Sequence, residues 1–203
     1  MVEIINGIQQ IGIGVCDVKE VFNWYRKHLG FDILLFEDEA VASLMTQYTN
    51  DKAERREAYL ALNMIGGGGL EIWQFKDRQP RAPRVPIEFG DLGIYAMKIR
   101  CNNLTEIHSY LRGLKVSDLS DINQSFCPNF YFTDPFGNRV QMVEDHYVFC
   151  KQPSNNGGVL GAVIGVCDME RSLEFYGTML DYSIIEYDNI EAFKGAGKGR
   201  FRR

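Results

Sequence analysis

The stretch IGIGVCDVKEVFNWYRKHLGF, Ile11 to Phe31, decides the reading of this chain, because AVIGVCDMERSLEFYGTMLDY, Ala162 to Tyr182, repeats its pattern without a gap. Cys16 corresponds to Cys167, Asp17 to Asp168, Tyr25 to Tyr176 and Leu29 to Leu180, each pair 151 residues apart. Such ungapped self-similarity in aromatic, apolar and turn positions identifies an internal duplication. Ile11, Ile13 and Val15 alternate with Gly12 and Gly14, the period of a half-buried strand. Asp17 suits a helix N-cap, with Glu20 placed to complete a capping box. Val18, Phe22, Tyr25 and Leu29 then fall on one helical face, and Gly30 sits where a helix ends in a left-handed residue. Phe31, Ile33 and Leu35 resume strand alternation, so the unit is strand, helix, strand.

Outward from this unit, Phe31 to Phe36 reads as a strand and Thr46 to Arg56 as a loop. Glu57 to Asn63 and Leu70 to Phe75 read as two further strands around the GGGG turn at Gly66 to Gly69. RQPRAPRVP, Arg78 to Pro86, links two units, and its arginines Arg78, Arg81 and Arg84 are expected to face solvent. The order repeats: a strand from Ile94 to Arg100, a helix capped by Asn103 and ended at Gly113, an extended segment from Lys115, and two strands in NFYFTDPFGNRVQMVED, Asn129 to Asp145. In that hairpin Pro135 fixes the first corner and Gly137 supplies the positive dihedral. KQPSNNGG, Lys151 to Gly158, reads as a flexible linker before the third unit.

With 203 residues, 45% of them hydrophobic and 12% aromatic, the chain can bury a sizeable core in one or two domains. A net charge of −5 argues against nucleic-acid or anionic-membrane partners, and the basic segment GKGRFRR at Gly197 to Arg203 reads as a solvated terminus. No basic start precedes an apolar run, and no stretch approaches the about 20 apolar residues of a membrane span, so a cytoplasmic setting is expected. Five cysteines without a close CxxC pair fit neither a disulfide framework nor a structural zinc site. Cys16 and Cys167 are expected to be small buried apolar residues.

Tandem βαβββ units, the CDV helix start followed by the Phe22–Tyr25–Leu29–Gly30–Phe31 pattern, and the closing DPFGN hairpin at Asp134 to Asn138 together resemble the vicinal oxygen chelate superfamily. That superfamily includes glyoxalase I, methylmalonyl-CoA epimerase, extradiol dioxygenases and the bleomycin and fosfomycin resistance proteins. The resemblance implies an α+β fold in which paired βαβββ modules curl into a half-open barrel with the helices outside. It divides the chain into paired modules within residues 1–150, about 4–76 and 89–146, and an incomplete third module at 159–203.

The resemblance further implies metal ligands at the start of the first strand and on the fourth strand of each module. Gln10 and Glu71 stand there in the first module, Ile94 and Gln141 in the second. Alternation places Gln10 with Gly12 and Gly14, and Glu71 with Trp73, on the face away from the helix, where Gln10, Glu71 and Gln141 are expected to converge. A Gln carbonyl and a carboxylate can ligate a hard cation, and the same two groups can instead hydrogen-bond to each other. Ile94 cannot coordinate and Gln141 carries no charge, so the ligand set for zinc, nickel, iron or manganese is incomplete; no organic cofactor is implied. Lys98 is placed to pair with Glu71 or to contact a ligand. His28, His108 and His146 are expected at surface or core-edge positions, and Gly161 stands where a dioxygenase of this family would need a histidine in the third module.

Three functions remain open. One is a metal-dependent lyase, isomerase or dioxygenase in which an ion on Gln10 and Glu71 polarises substrate oxygens, with Glu71 as catalytic group and Trp73, Lys98 and Gln141 around the substrate. A second is a metal-free binder whose aromatic-lined cleft holds a small molecule. A third is a structural half that supports a further module pair. The expected partners are a small-molecule ligand and either a second copy of the chain or a further module pair, since a third unit without its closing hairpin leaves Leu173, Tyr176 and Leu180 on a sheet too small to cover them.

Overall fold

A computed structural model describes residues 7–124, 127–152, 154, 156–186, 188–192 and 198–202, with side chains up to residue 186 and at 188. The first sheet has the order β1-β4-β3-β2, from β1 (Gln10–Gly14), β2 (Ile33–Val41), β3 (Arg55–Leu62) and β4 (Gly69–Phe75). β1 runs parallel to β4, and the other pairings are antiparallel. The second sheet has the order β6-β7-β5-β8, from β5 (Gly93–Cys101), β6 (Asn129–Thr133), β7 (Arg139–Glu144) and β8 (Asn156–Gly165). Helices α1 (Val18–Leu29), α2 (Leu104–Gly113) and α3 (Met169–Leu180) follow β1, β5 and β8. The first module has the βαβββ order read from the sequence; in the second, β5–α2–β6–β7, the extended segment expected from Lys115 forms only the isolated bridges Ser117–Thr133 and Asn123–Asn129, and neither sheet closes into a barrel.

Local chemistry sets the helix ends. The Asp17 side chain accepts hydrogen bonds from the backbone N–H of Lys19 and Glu20, and Gly30 closes α1 at φ 72°, a conformation that costs glycine little. Asp168 caps α3 in the same way, as the duplication requires. Three boundaries differ from expectation. β2 extends past Phe36 to Val41, and a 3₁₀ turn at Ser43–Tyr48 runs into the loop expected from Thr46. β8 begins at Asn156, inside the segment read as a linker. There the missing side chains serve packing: a Cβ on Gly66 would lie 1.5 Å from the Gly157 carbonyl oxygen, and one on Gly68 would lie 2.2 Å from that of Val159.

The chain divides into two compact units. The larger comprises Ile8–Ala82 and Met97–Gly161, with the whole first sheet, α1, α2, β6 and β7. Its core is one cluster that includes Tyr25, Leu29, Leu70 and Ile72 from the first module and Ile99, Leu111, Phe132 and Met142 from the second. Tyr25 is fully buried, and its hydroxyl donates a 2.7 Å hydrogen bond to Asp134 Oδ2 at the β6–β7 turn. Asp134 is itself 2% exposed and also accepts from the backbone N–H of Phe136 and Asn138 and from the Asn138 amide. Burial and the neighbouring carboxylate push the Tyr25 hydroxyl well above the usual tyrosine range, so it remains a donor at every physiological pH.

A second seam forms around Asn63, 1% exposed. Its amide donates to the carbonyls of Leu29, Gly30 and Asn156, and its carbonyl accepts from Ile65 N–H. Arg100 Nη1 reaches the Gly66 carbonyl at 2.9 Å. The smaller unit comprises residues 1–7, Pro83–Ala96 and Ala162–Arg203, and contains α3 and the antiparallel pair β9 (Asp188–Ala192) and β10 (Lys198–Arg202). No α3 side chain is buried, whereas five are in α1. Tyr176 is only half-buried where its counterpart Tyr25 is enclosed.

Tyr25→Phe removes the hydroxyl that joins the modules while keeping the ring. The expected loss is about 1–3 kcal/mol of unfolding free energy, read as a lower urea midpoint at unchanged slope. An unchanged midpoint would contradict this role for the bond.

Candidate functional site

The face of the first sheet turned away from α1 follows from alternation. Leu70 and Ile72 enter the core with no exposed surface, so Glu71, Trp73 and Phe75 point the other way. Register then builds two rows across the sheet: Phe36, Leu60, Glu71 and Gly12 in one, Asp38, Ala58, Trp73 and Gly14 in the next. Leu60 and Ala58 are buried, which makes the floor apolar around one carboxylate. Gln10 Nε2 donates a 2.7 Å hydrogen bond to Glu71 Oε2.

The glycines of β1 leave the indole open. A Cβ on Gly12 would lie 3.6 Å from Trp73 Nε1 and 3.9 Å from Glu71 Oε2, and one on Gly14 would lie 3.8 Å from Trp73 Cζ2. Phe75 meets Trp73 edge-on at 5.1 Å. Phe75, which sequence reasoning did not name as a site residue, follows from the alternation that placed Glu71 and Trp73.

Gln141 and Lys98 lie in the second sheet, side by side in the β5–β7 register. Gln141 is 4% exposed, and its amide N–H donates to Asn129 Oδ1 at 3.0 Å. Its carbonyl oxygen is buried without a hydrogen-bond partner among the described residues. The Lys98 Cδ lies 3.9 Å from where a Cβ on Gly161 would stand. The carboxylate of Glu71 is held by Gln10, and the amide of Gln141 by Asn129. Among the described residues β1 pairs with β4, while β5 lies between β7 and β8.

Other expectations resolve at residue level. Ile94 is 62% exposed at the start of β5. Cys16 and Cys167 are exposed rather than buried, because each sits where the period changes from strand to helix, one step past the last inward-facing strand residue. Cys101 is the buried thiol, pushed by burial up to about 11, which leaves it unreactive as a nucleophile at neutral pH. His28 Nδ1 lies 2.8 Å from the Tyr110 hydroxyl, and His108 Nε2 lies 2.9 Å from the Ser120 carbonyl, both structural contacts.

The donor chemistry bears on a metal ion. Among the described residues no cluster of three His, Cys, Asp or Glu side chains could hold one. On the first sheet the amide of Gln10 turns its N–H toward the carboxylate, the reverse of an arrangement in which both oxygens meet a cation. One carboxylate already hydrogen-bonded to a neutral donor is a poor match to the three or more ligands a resident zinc ion or harder cation requires.

The chain matches the family model described as the Glyoxalase/Bleomycin resistance protein/Dioxygenase superfamily over residues 7–142. Among curated proteins none matches. A glyoxalase family protein from Bacillus cereus superposes with a TM-score of 0.56 at 13% identity, covering 70% of this chain and 95% of that one. A dioxygenase candidate from Bacillus subtilis gives 0.59 at 15% identity, covering 92% of this chain and 57% of that one. A glyoxalase I variant from Zea mays gives 0.57 at 13% identity, covering 91% and 57%. The chain thus spans just over half the length of the last two, and at these identities the likeness concerns the fold.

Gly12→Val places a side chain in ordinary contact with the indole. It is expected to lower acrylamide quenching of the Trp73 fluorescence while changing unfolding free energy by less than about 1 kcal/mol. Undiminished quenching would show that the indole is not reached across β1.

Proposed function

Because the chain belongs to the glyoxalase/bleomycin resistance protein/dioxygenase superfamily, we propose that it is a metal-independent binder of a small planar molecule on the face of its first sheet turned away from α1. The observation that carries this reading is the Gln10–Glu71 hydrogen bond beside the open Trp73 indole. Where the family places a cation, two side chains satisfy each other. The carboxylate keeps its second oxygen to accept an N–H or O–H from a ligand. The indole offers a flat apolar surface, and Leu60 and Phe36 continue the floor.

The roles follow from this placement. Trp73 stacks on the ring of the ligand, and the T-shaped contact with Phe75 fixes the indole plane. Glu71 orients the ligand through a charge-assisted hydrogen bond, and Gln10 holds the carboxylate in place. Gly12 and Gly14 provide room. Gln141 and Lys98 stand side by side on the second sheet and are not assigned to this ligand.

The test is binding of proflavine, a planar cationic dye with ring amines, followed by its absorbance shift. Saturable binding is expected, weakened about tenfold in Trp73→Ala, a loss of about 1.4 kcal/mol. Glu71→Gln is expected to weaken it several-fold while circular dichroism stays unchanged. Equal affinity in the wild type and Trp73→Ala would overturn the assignment of the indole as the binding surface.

A further inference from the structure

Beside β3 and β4 in the larger unit lies a cavity of about 440 Å³, lined by Thr49, Asn50, Lys52, Glu54, Arg78 and Arg81 among others. One wall is the turn after the 3₁₀ segment, the other the chain leaving β4. The two walls are tied at their base. Arg55 donates its backbone N–H to Asp77 Oδ2 at 2.7 Å, and its Nε and Nη2 to Asp77 Oδ1 at 3.0 and 2.9 Å. The Lys76 backbone N–H donates to the Arg55 carbonyl at 2.8 Å. The turn itself runs through Asn50 and Asp51 at φ 53° and 58°, left-handed backbone held by Thr49, 4% exposed, whose hydroxyl donates to the Lys52 carbonyl.

The charges of this cavity differ from those of the strands beside it. On the strands each base has its acid: Arg55 with Asp77, Arg56 with Asp38, Lys76 with Glu57. In the cavity three cations face one carboxylate. Arg78 Nε pairs with Glu54 Oε2 at 2.9 Å, and its guanidinium lies 4.4 Å over the Phe75 ring, which fixes the fork. Lys52 and Arg81 have no charged partner among the described residues. In a chain of net charge −5, such an excess at one concave site selects for an anion.

We propose that this cavity binds the phosphate group of a small phosphorylated molecule. A planar guanidinium fork held by stacking and flanked by two further cations matches the several oxygens and double charge of a phosphate better than a single carboxylate. The volume falls within the range of small-molecule sites and exceeds the needs of bare phosphate, so it leaves space for the ester or a second phosphate. The site does not depend on the proposed planar ligand. Phe75 lies between the two, with Trp73 on one side and Arg78 on the other.

Calorimetric titration of the full chain with inorganic pyrophosphate, at ionic strength fixed with sodium chloride, tests the proposal. Saturable one-to-one binding is expected, weakened at least tenfold in the exposed double variant Lys52→Ala/Arg81→Ala and unchanged in Trp73→Ala. Equal affinity in the wild type and the double variant, or heat no larger than dilution, would overturn it. Loss in Trp73→Ala alone would place pyrophosphate on the first sheet and equally overturn it. Dye binding retained in the double variant keeps this outcome separate from the fate of the planar-ligand reading.

Discussion

The hydroxyl of Tyr25 reaching Asp134 makes one core out of two modules. A tyrosine from the first helix and a carboxylate from the second module's hairpin are both buried, and each would be costly without the other. Asp134 meanwhile organises its own turn through Phe136 and Asn138, so the bond fixes the hairpin and the helix together. Once the helix-side residues of both sheets share this core, the chemistry-bearing residues are left on the faces pointing away from it. The glycine contacts of Gly66 and Gly68 with Gly157 and Val159 then bring the start of β8 against the first module, and β8 pairs along β5.

On the first sheet, that arrangement leaves a carboxylate in an apolar floor with an amide as its partner. The Gln10–Glu71 bond is short and charge-assisted. The proposed binding role rests on what stands beside the bond: the indole next to Gly12 and Gly14, and the second oxygen of Glu71. The pairing of Gln141 with Asn129 gives the second sheet a different character, with a buried carbonyl oxygen in place of a charge.

Features set by neighbours in sequence were legible without coordinates. The Asp17 cap, the Gly30 turn and the outward alternation of Glu71 and Trp73 depend on a period of two or 3.6 residues and on local hydrogen bonds. Cys16 was misplaced because it stands at the step between those two periods, where neither dictates its direction. The long-range choices were not legible. Strand alternation gives Gln141 a face but not the sheet edge it will meet, and no local signal shows that β5 pairs with β8. Nor does a Pro-rich segment disclose that Arg78 will stack on Phe75 and pair with Glu54, contacts formed across the chain between side chains of ordinary surface type.

The central claim is that the Gln10–Glu71 pair stands in place of a metal ion. Elemental analysis of the purified full chain, after exposure to equimolar zinc, nickel, iron or manganese and desalting, tests it most directly. The account predicts well under one equivalent of any of these metals, with no difference between the wild type and Glu71→Gln. One equivalent retained by the wild type and lost in Glu71→Gln would contradict it.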